Sequence, residues 1–323
     1  VSPLTHQNWH CRSARKCFAN QLCYETVRGA DEDPLPPDPG GNAMAEFGIS
    51  MFPTDYAIQP IELALAAEER GFESMFFPEH THIPASRKTP FPGGTELPKE
   101  YWHTHDPFVA LGAAAAVTKK LKLGTGVCLV IERDPIMLAK EVASLDMISG
   151  GRVILGIGAG WNVEEMENHG AVFKRRWKIV KEKVLAMRQI WTKEAAEFHG
   201  EFVNFDPIWS FPKPVQTGGP PIILGSQSPK TFDRVAEYCD GWMPINFPRY
   251  DLAANLKALA EAGMKAGRKK LSVSMFGVGP KEEPIKKFLQ LGIDRVIFGL
   301  PAASRDTVLP LLDKYAELKA KVG

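Results

Sequence analysis

The sequence predicts a single (β/α)8 barrel with insertions after its second and fourth strands. Three observations predict it. Eight short apolar runs alternate with eight helical patterns between residues 44 and 323. Those runs are nearly continuous, as strands read when helices cover one face and a packed interior covers the other. Finally, Phe52-Pro53-Thr54-Asp55-Tyr56 follows the first strand and holds no glycine, whereas an open doubly wound sheet wants a Gly-x-Gly-x-x-Gly turn there. The glycines at 156, 158 and 160 come mid-chain and have the wrong spacing for that turn.

The elements follow in order. The first strand is expected at 47–52; its helix opens on Pro60, whose fixed φ suits a first turn, and stops at Gly71. A second strand at 74–77 leads into a long polar insertion, 79–105, and an alanine-rich helix at 107–119. The third strand, 121–130, is followed by a helix at 135–148. After the fourth, 152–158, come a loop, a long helix near 174–191 and a hairpin-like stretch at 196–205. Strands at 220–224, 241–245, 271–278 and 293–299 alternate with helices at 230–238, 252–267, 283–291 and 305–321. Eight such units in roughly this length make one barrel.

Residues 1–43 differ. They show no sustained period, and Pro34, Pro36, Pro37 and Pro39 sit among acidic residues and glycines. That composition favours an irregular extension. Met44 is expected to be the natural start, leaving 44–323 as one barrel domain.

Bulk properties narrow the function. With 39 basic and 38 acidic residues the formal charge is +1, which implies no nucleic-acid surface and suits a small-molecule substrate. No apolar run reaches the length of a membrane span, and the start lacks a secretory apolar stretch. Five cysteines in so long a chain suggest no disulfide framework: Cys128 and Cys239 read as buried thiols, and Cys11, Cys17 and Cys23 fall in the leader. A cytoplasmic location is expected.

Barrel chemistry collects at the C-terminal ends of strands. There the sequence offers Glu79, His80 and His82 after strand two, Glu132 and Arg133 after strand three, Gly158, Gly160, Trp161 and Asn162 after strand four, and Gly225, Ser226, Gln227 and Ser228 after strand five. His80 follows an apolar strand directly and should point into the mouth, where imidazole can give or take a proton. Glu79 could orient it or pair elsewhere. Glycines at strands four and five let backbone approach a planar or phosphorylated ligand. Ser226 and Ser228 before a helix offer a phosphate seat, or simply a capped helix. Trp161, Trp102, Tyr101 and Phe77 could wall a flat ring.

Other chemistries lack support. His80/His82 and His103/His105 invite a metal reading, but strands five, six and eight end without His, Asp or Glu, and no metal site is expected. The leader's His10, Cys11, Cys17 and Cys23 lack the close ligand pairs a zinc site needs. There is no nucleophile elbow, His-Glu-x-x-His or P-loop.

Three segments together resemble the luciferase-like monooxygenase superfamily: Phe72-Glu73-Ser74-Met75-Phe76-Phe77-Pro78-Glu79-His80-Thr81-His82, Leu123-Gly124-Thr125-Gly126-Val127-Cys128 with Glu132-Arg133-Asp134-Pro135, and Ser149-Gly150-Gly151-Arg152 through Gly160-Trp161-Asn162-Val163-Glu164-Glu165. The similarity runs over about residues 45–318 and is greatest to the deazaflavin-dependent branch. It implies a bacterial-luciferase-like barrel, usually a homodimer, holding coenzyme F420 or, alternatively, FMN. His80 falls where the family has a histidine facing the ring. Thr125, Gly126, Val127, Glu132, Gly158, Gly160, Trp161, Asn162, Gly225 and Ser226 fall in cofactor-lining segments, with a non-proline cis peptide implied at Gly126–Val127. Sugar-phosphate dehydrogenases of this branch carry glutamates where this chain has Trp161 and the Phe52-Pro53-Thr54 turn, and a tryptophan after strand two that is absent here. An apolar or aromatic substrate is therefore easier to place. The expected activity is hydride transfer between F420 and a small organic molecule. The alternatives are an FMNH2-dependent monooxygenase fed by a separate flavin reductase and a cofactor-binding protein without turnover. An F420 reductase is another conceivable redox partner.

Overall fold

The computed structural model describes residues 45–322 apart from 95, 248–250 and 269; the expectations for 1–43 lie outside the described residues. The chain opens with β1 (Glu46–Ser50), α1 (Pro60–Glu69) and β2 (Ser74–Phe77), then a short α2 (Glu100–His103) within the insertion and α3 (Pro107–Val117). Next come β3 (Lys122–Thr125), β4 (Cys128–Leu129), α4 (Pro135–Ser149), β5 (Val153–Gly158), α5 (Val163–Asn168) and α6 (Arg176–Thr192). The hairpin β6 (Ala195–His199) and β7 (Asn204–Trp209) precedes β8 (Ile222–Leu224), α7 (Thr231–Tyr238), β9 (Gly241–Trp242) and α8 (Leu252–Lys265). The chain closes with β10 (Ser272–Val278), α9 (Glu282–Gln290), β11 (Arg295–Gly299) and α10 (Arg305–Val322).

Every pairing between barrel strands is parallel, in the order β3-β2-β1-β11-β10-β9-β8-β5-β4. Contact of Leu123 and Gly124 on β3 with Val153 and Ile154 on β5 closes the ring. With β3 and β4 as two parts of one strand, this is the expected (β/α)8 barrel, so all strand C-termini open on one face.

Three elements differ from expectation. The third strand is interrupted after Thr125, and the Gly126–Val127 peptide there is cis, as the family resemblance implied. The sixth strand is only Gly241–Trp242, because Pro244 has no N–H to extend the ladder; a single bridge from Ile245 to Phe276 follows. A helix, α5, replaces part of the loop expected after strand four: the Asn162 side chain accepts from the Glu165 N–H at 3.2 Å and so caps it.

The barrel interior is packed by Phe76, Ile154, Ile223, Met243 and Ile297, topped by Val127 and Phe276. A second, larger core lies between strands and helices. Gly124 makes room for the Phe76 ring, since a Cβ there would stand 2.3 Å from it. At the N-terminal end of the strands, Arg295 grips Glu73 through two bonds of 2.8 and 2.7 Å, and Lys122 adds a third contact at 2.7 Å. Burial alone would raise the Glu73 pKa, but the two cations hold it at about 2.

Candidate active site

The face formed by the strand C-termini carries one buried acid–base pair. His80 leaves β2 two residues past Pro78, and its Nδ1 stands 2.9 Å from both carboxylate oxygens of Glu165. Their side chains are 6% and 1% exposed, so the contact is closed to water. An ionised carboxylate only accepts, so Nδ1 carries the proton and Nε2 is left to meet a ligand. Two neighbours fix the pair. Asn162 caps the helix that presents Glu165. Glu79 accepts from the Leu129 N–H and from Arg133 Nε, each at 2.6 Å, tying the end of β2 to β4. Glu79 therefore pairs with Arg133 and not with His80.

Aromatic rings surround His80. Tyr101 and Trp161 lie 5.1 and 6.0 Å from its ring centre, Phe91 touches both at 5.2 and 5.7 Å, and Phe52 stacks on Tyr101 at 4.7 Å. Burial pushes the Tyr101 phenol up to about 12, so it stays neutral. Of the four wall residues expected, Tyr101 and Trp161 are here. Phe77 is instead fully buried in the core between strands and helices, and Trp102 is half exposed beside His103, outside the group. The rings touch one another and crowd the approach to His80.

Glycines and Val127 pack closely at the ends of the third, fourth and fifth barrel strands. Val127, just past the cis peptide, lies over Gly158 and Gly225; a Cβ on either would come within 2.6 Å of a Val127 methyl. A Gly156 Cβ would fall 2.0 Å from the Thr125 carbonyl oxygen. Gly160 takes φ +71°, a conformation glycine adopts freely, ahead of Trp161. Two predicted cofactor residues have committed side chains: Thr125 donates to the Gly156 carbonyl at 2.7 Å, and Asn162 is the helix cap. Their part in this packing is backbone.

At the end of β8, Thr231 Oγ1 donates to Ser226 Oγ at 2.9 Å, and Arg234 donates to Ser228 Oγ at 2.7 Å. Arg176 acts on Arg234 as a like charge, its Nε is buried without a partner, and desolvation lowers both guanidinium pKa values. Two cations and three hydroxyls thus gather at the start of α7.

Glu132 stands apart. Its carboxyl is 1% exposed, neither oxygen has a hydrogen-bond partner, and His169 Nε2 lies 3.7 Å away. Burial, then the charges of Glu165 and Glu79, push it up to about 9. Nearby Lys183, desolvated and donating to the carbonyls of Ile131 and Arg133, is pulled down to about 8.

The His-Thr-His runs do not converge. His82 bonds Thr81 and Asn168, while His103 bonds Asp55. Among the described residues no group of three or more His, Cys, Asp or Glu could hold a metal ion. A cleft of about 850 Å³ beside α8 and α9 includes Gln227, Asn246, Met275 and Phe288 but neither member of the acid–base pair; volume alone does not locate the chemistry. Glu165 was the main residue missed by inspection of the sequence. The signal was present: Asn162 followed three residues later by Glu165 is a helix-start pattern.

The barrel mouth thus presents a buried imidazole–carboxylate pair among aromatic rings. Residues 47–278 match the family model described as luciferase-like monooxygenase, and the chain belongs to that family. An uncharacterized protein of Mycobacterium tuberculosis is 40% identical over 275 residues, 84% of this chain and 97% of that protein. A 5,10-methylenetetrahydromethanopterin reductase of Methanolobus tindarius is 26% identical over 288 residues, 86% of this chain and 78% of the reductase. The structure of an F420-dependent secondary alcohol dehydrogenase with an F420-acetone adduct superimposes with a TM-score of 0.68, covering 86% of this chain and 99% of that one at 19% identity. Structural neighbours thus include an F420-dependent protein and a type II Baeyer-Villiger monooxygenase in complex with FMN. No helix among the described residues is long and apolar enough to cross a membrane.

Proposed function

We propose that this protein transfers hydride between coenzyme F420 and a small organic substrate with an apolar or aromatic body. The observation that carries the reading is the contact of Glu165 with His80 Nδ1, which commits that nitrogen and leaves Nε2 as the one to act on a ligand. When bound, the deazaflavin supplies a ring carbon that gives or takes a hydride. The residues fit such a group. Val127 over Gly158 and Gly225 forms an apolar bed, Gly126 precedes it across the cis peptide, and Trp161 stands beside His80. Ser226, with Ser228, Thr231, Arg234 and the unpartnered Arg176 Nε, suits the phosphate. His80 Nε2 holds or releases the proton that accompanies hydride transfer, and Tyr101, Phe91 and Trp161 exclude water.

The reductase relation extends over most of the chain and supports this choice. Buried free thiols at Cys128 and Cys239 agree with a cytoplasmic setting. Ile61 and Val109, exposed beside one shallow groove between α1 and α3, offer an apolar face for a homodimer.

Fluorescence titration of the purified protein with F420 and with FMN tests the cofactor. Tight F420 binding is expected; binding of FMN alone would replace this reading with the monooxygenase fed by a flavin reductase. His80→Ala is expected to lower turnover by about 10²–10⁴ across an alcohol and carbonyl panel, with cofactor affinity nearly unchanged. Equal turnover would remove His80 from the chemistry.

A further inference from the structure

The buried pair needs a path to solvent. Any proton that His80 takes or gives must be exchanged with water, yet rings crowd the entrance and both side chains are buried. A series of titratable groups runs in the other direction. Glu165 lies in α5 and His169 is that helix's C-cap, four residues on, so they occupy one face. Glu132 meets this face: its Oε2 is 3.7 Å from His169 Nε2, and the Glu165 charge acts on it directly. His169 Nε2 lies 2.7 Å from Thr81 Oγ1, which lies 2.9 Å from His82 Nδ1. The His82 and His169 rings are 5.5 Å apart, and this end of the series is open to solvent.

We propose that Glu132 and His169 form a proton route joining the His80–Glu165 pair to solvent, separate from the substrate entrance. The inference rests on the acid–base role assigned to His80. Neither Glu132 oxygen is hydrogen-bonded, so no bond ties the carboxyl to one partner, and in the proposed route it serves Glu165 and His169 in turn. Glu132 delivers its proton to His169, which passes one on through the Thr81 hydroxyl to His82. The emptied carboxylate is refilled from Glu165 after that residue accepts the Nδ1 proton of His80. Meanwhile His80 Nε2 takes the substrate's proton, so one proton leaves for each oxidation with no net charge left behind, and the ring is left as its Nε2–H tautomer until the opposite passage restores Nδ1–H. The reverse order serves reduction. The other charged groups facing Glu132 are spoken for: Glu79 by Arg133, and Lys183 by two carbonyls. The cleft over Glu132, lined by His169, Lys183 and Phe205, includes none of the rings around His80.

The test needs neither substrate nor cofactor. In full-length protein with 15N-labelled histidine, the exchange rate of the His80 ring N–H with water is measured by NMR. Glu132→Gln keeps the shape of the neutral acid but carries no transferable proton; it and His169→Gln, at a surface position, are each expected to slow exchange by about tenfold. Trp161→Ala, which opens the entrance, is expected to leave the rate unchanged. An unaltered rate in both route variants, or acceleration by Trp161→Ala alone, would overturn the route. Because no cofactor is present, failure of F420 to bind would sink the proposed activity without touching this result.

Discussion

At the residue scale, the site gathers three carboxyls, and each meets burial differently. Glu79 has Arg133 and a backbone N–H, Glu165 has His80, and Glu132 has no hydrogen bond. A buried carboxyl without a partner keeps its proton. Its effect on stability has a definite sign. Between pH 4.5 and about 9 the unfolded chain has lost the Glu132 proton while the native state keeps it, so stability falls as pH rises through that window. Glu132→Gln removes this cost. Thermal unfolding is expected to show a gain of about 2–4 °C at pH 8 and almost none at pH 4.5. Equal gains at both would mean that Glu132 is ionised in the native protein.

At the element scale, α5 has only six residues, yet it carries Glu165 and ends at His169. A helix so short depends on its cap. Asn162→Ala is expected to cost about 1 kcal/mol in urea unfolding and to loosen Glu165, lowering turnover more than cofactor affinity. If turnover were unchanged, the cap would serve folding alone. The third strand shows a different dependence. Its break after Thr125 puts Val127 over the two glycines, an arrangement that needs β3, β5 and β8 side by side.

At the scale of the whole molecule, the two ends of the barrel divide the work. The C-terminal ends hold groups whose protonation is open to change, while the N-terminal ends hold a fixed ion cluster of Glu73, Arg295 and Lys122. Glu73 is depressed to about 2, so its contribution is fully present above pH 4.5 and is lost as pH falls from there through about 2. Arg295→Met strands Glu73 and is expected to cost about 3 kcal/mol at pH 7 in urea unfolding, with a smaller difference near pH 2. A constant difference across that range would separate the loss from the Glu73 charge.

The sequence by itself determined the barrel, because apolar runs, proline starts and glycine stops are local signals repeated eight times. It also pointed to His80 and the strand-end glycines, since each falls at a strand end whose direction the barrel fixes, whereas the cis position came only from the family resemblance. The partner of His80 was decided by tertiary structure: Glu165 is 85 positions away, and only strand order and the cap at Asn162 bring the two together. The same holds for the burial of Glu132, whose carboxyl is 1% exposed beside His169. Whether a carboxyl is paired, exposed or neutral depends on what is packed around it, and periodicity along a chain carries no record of that.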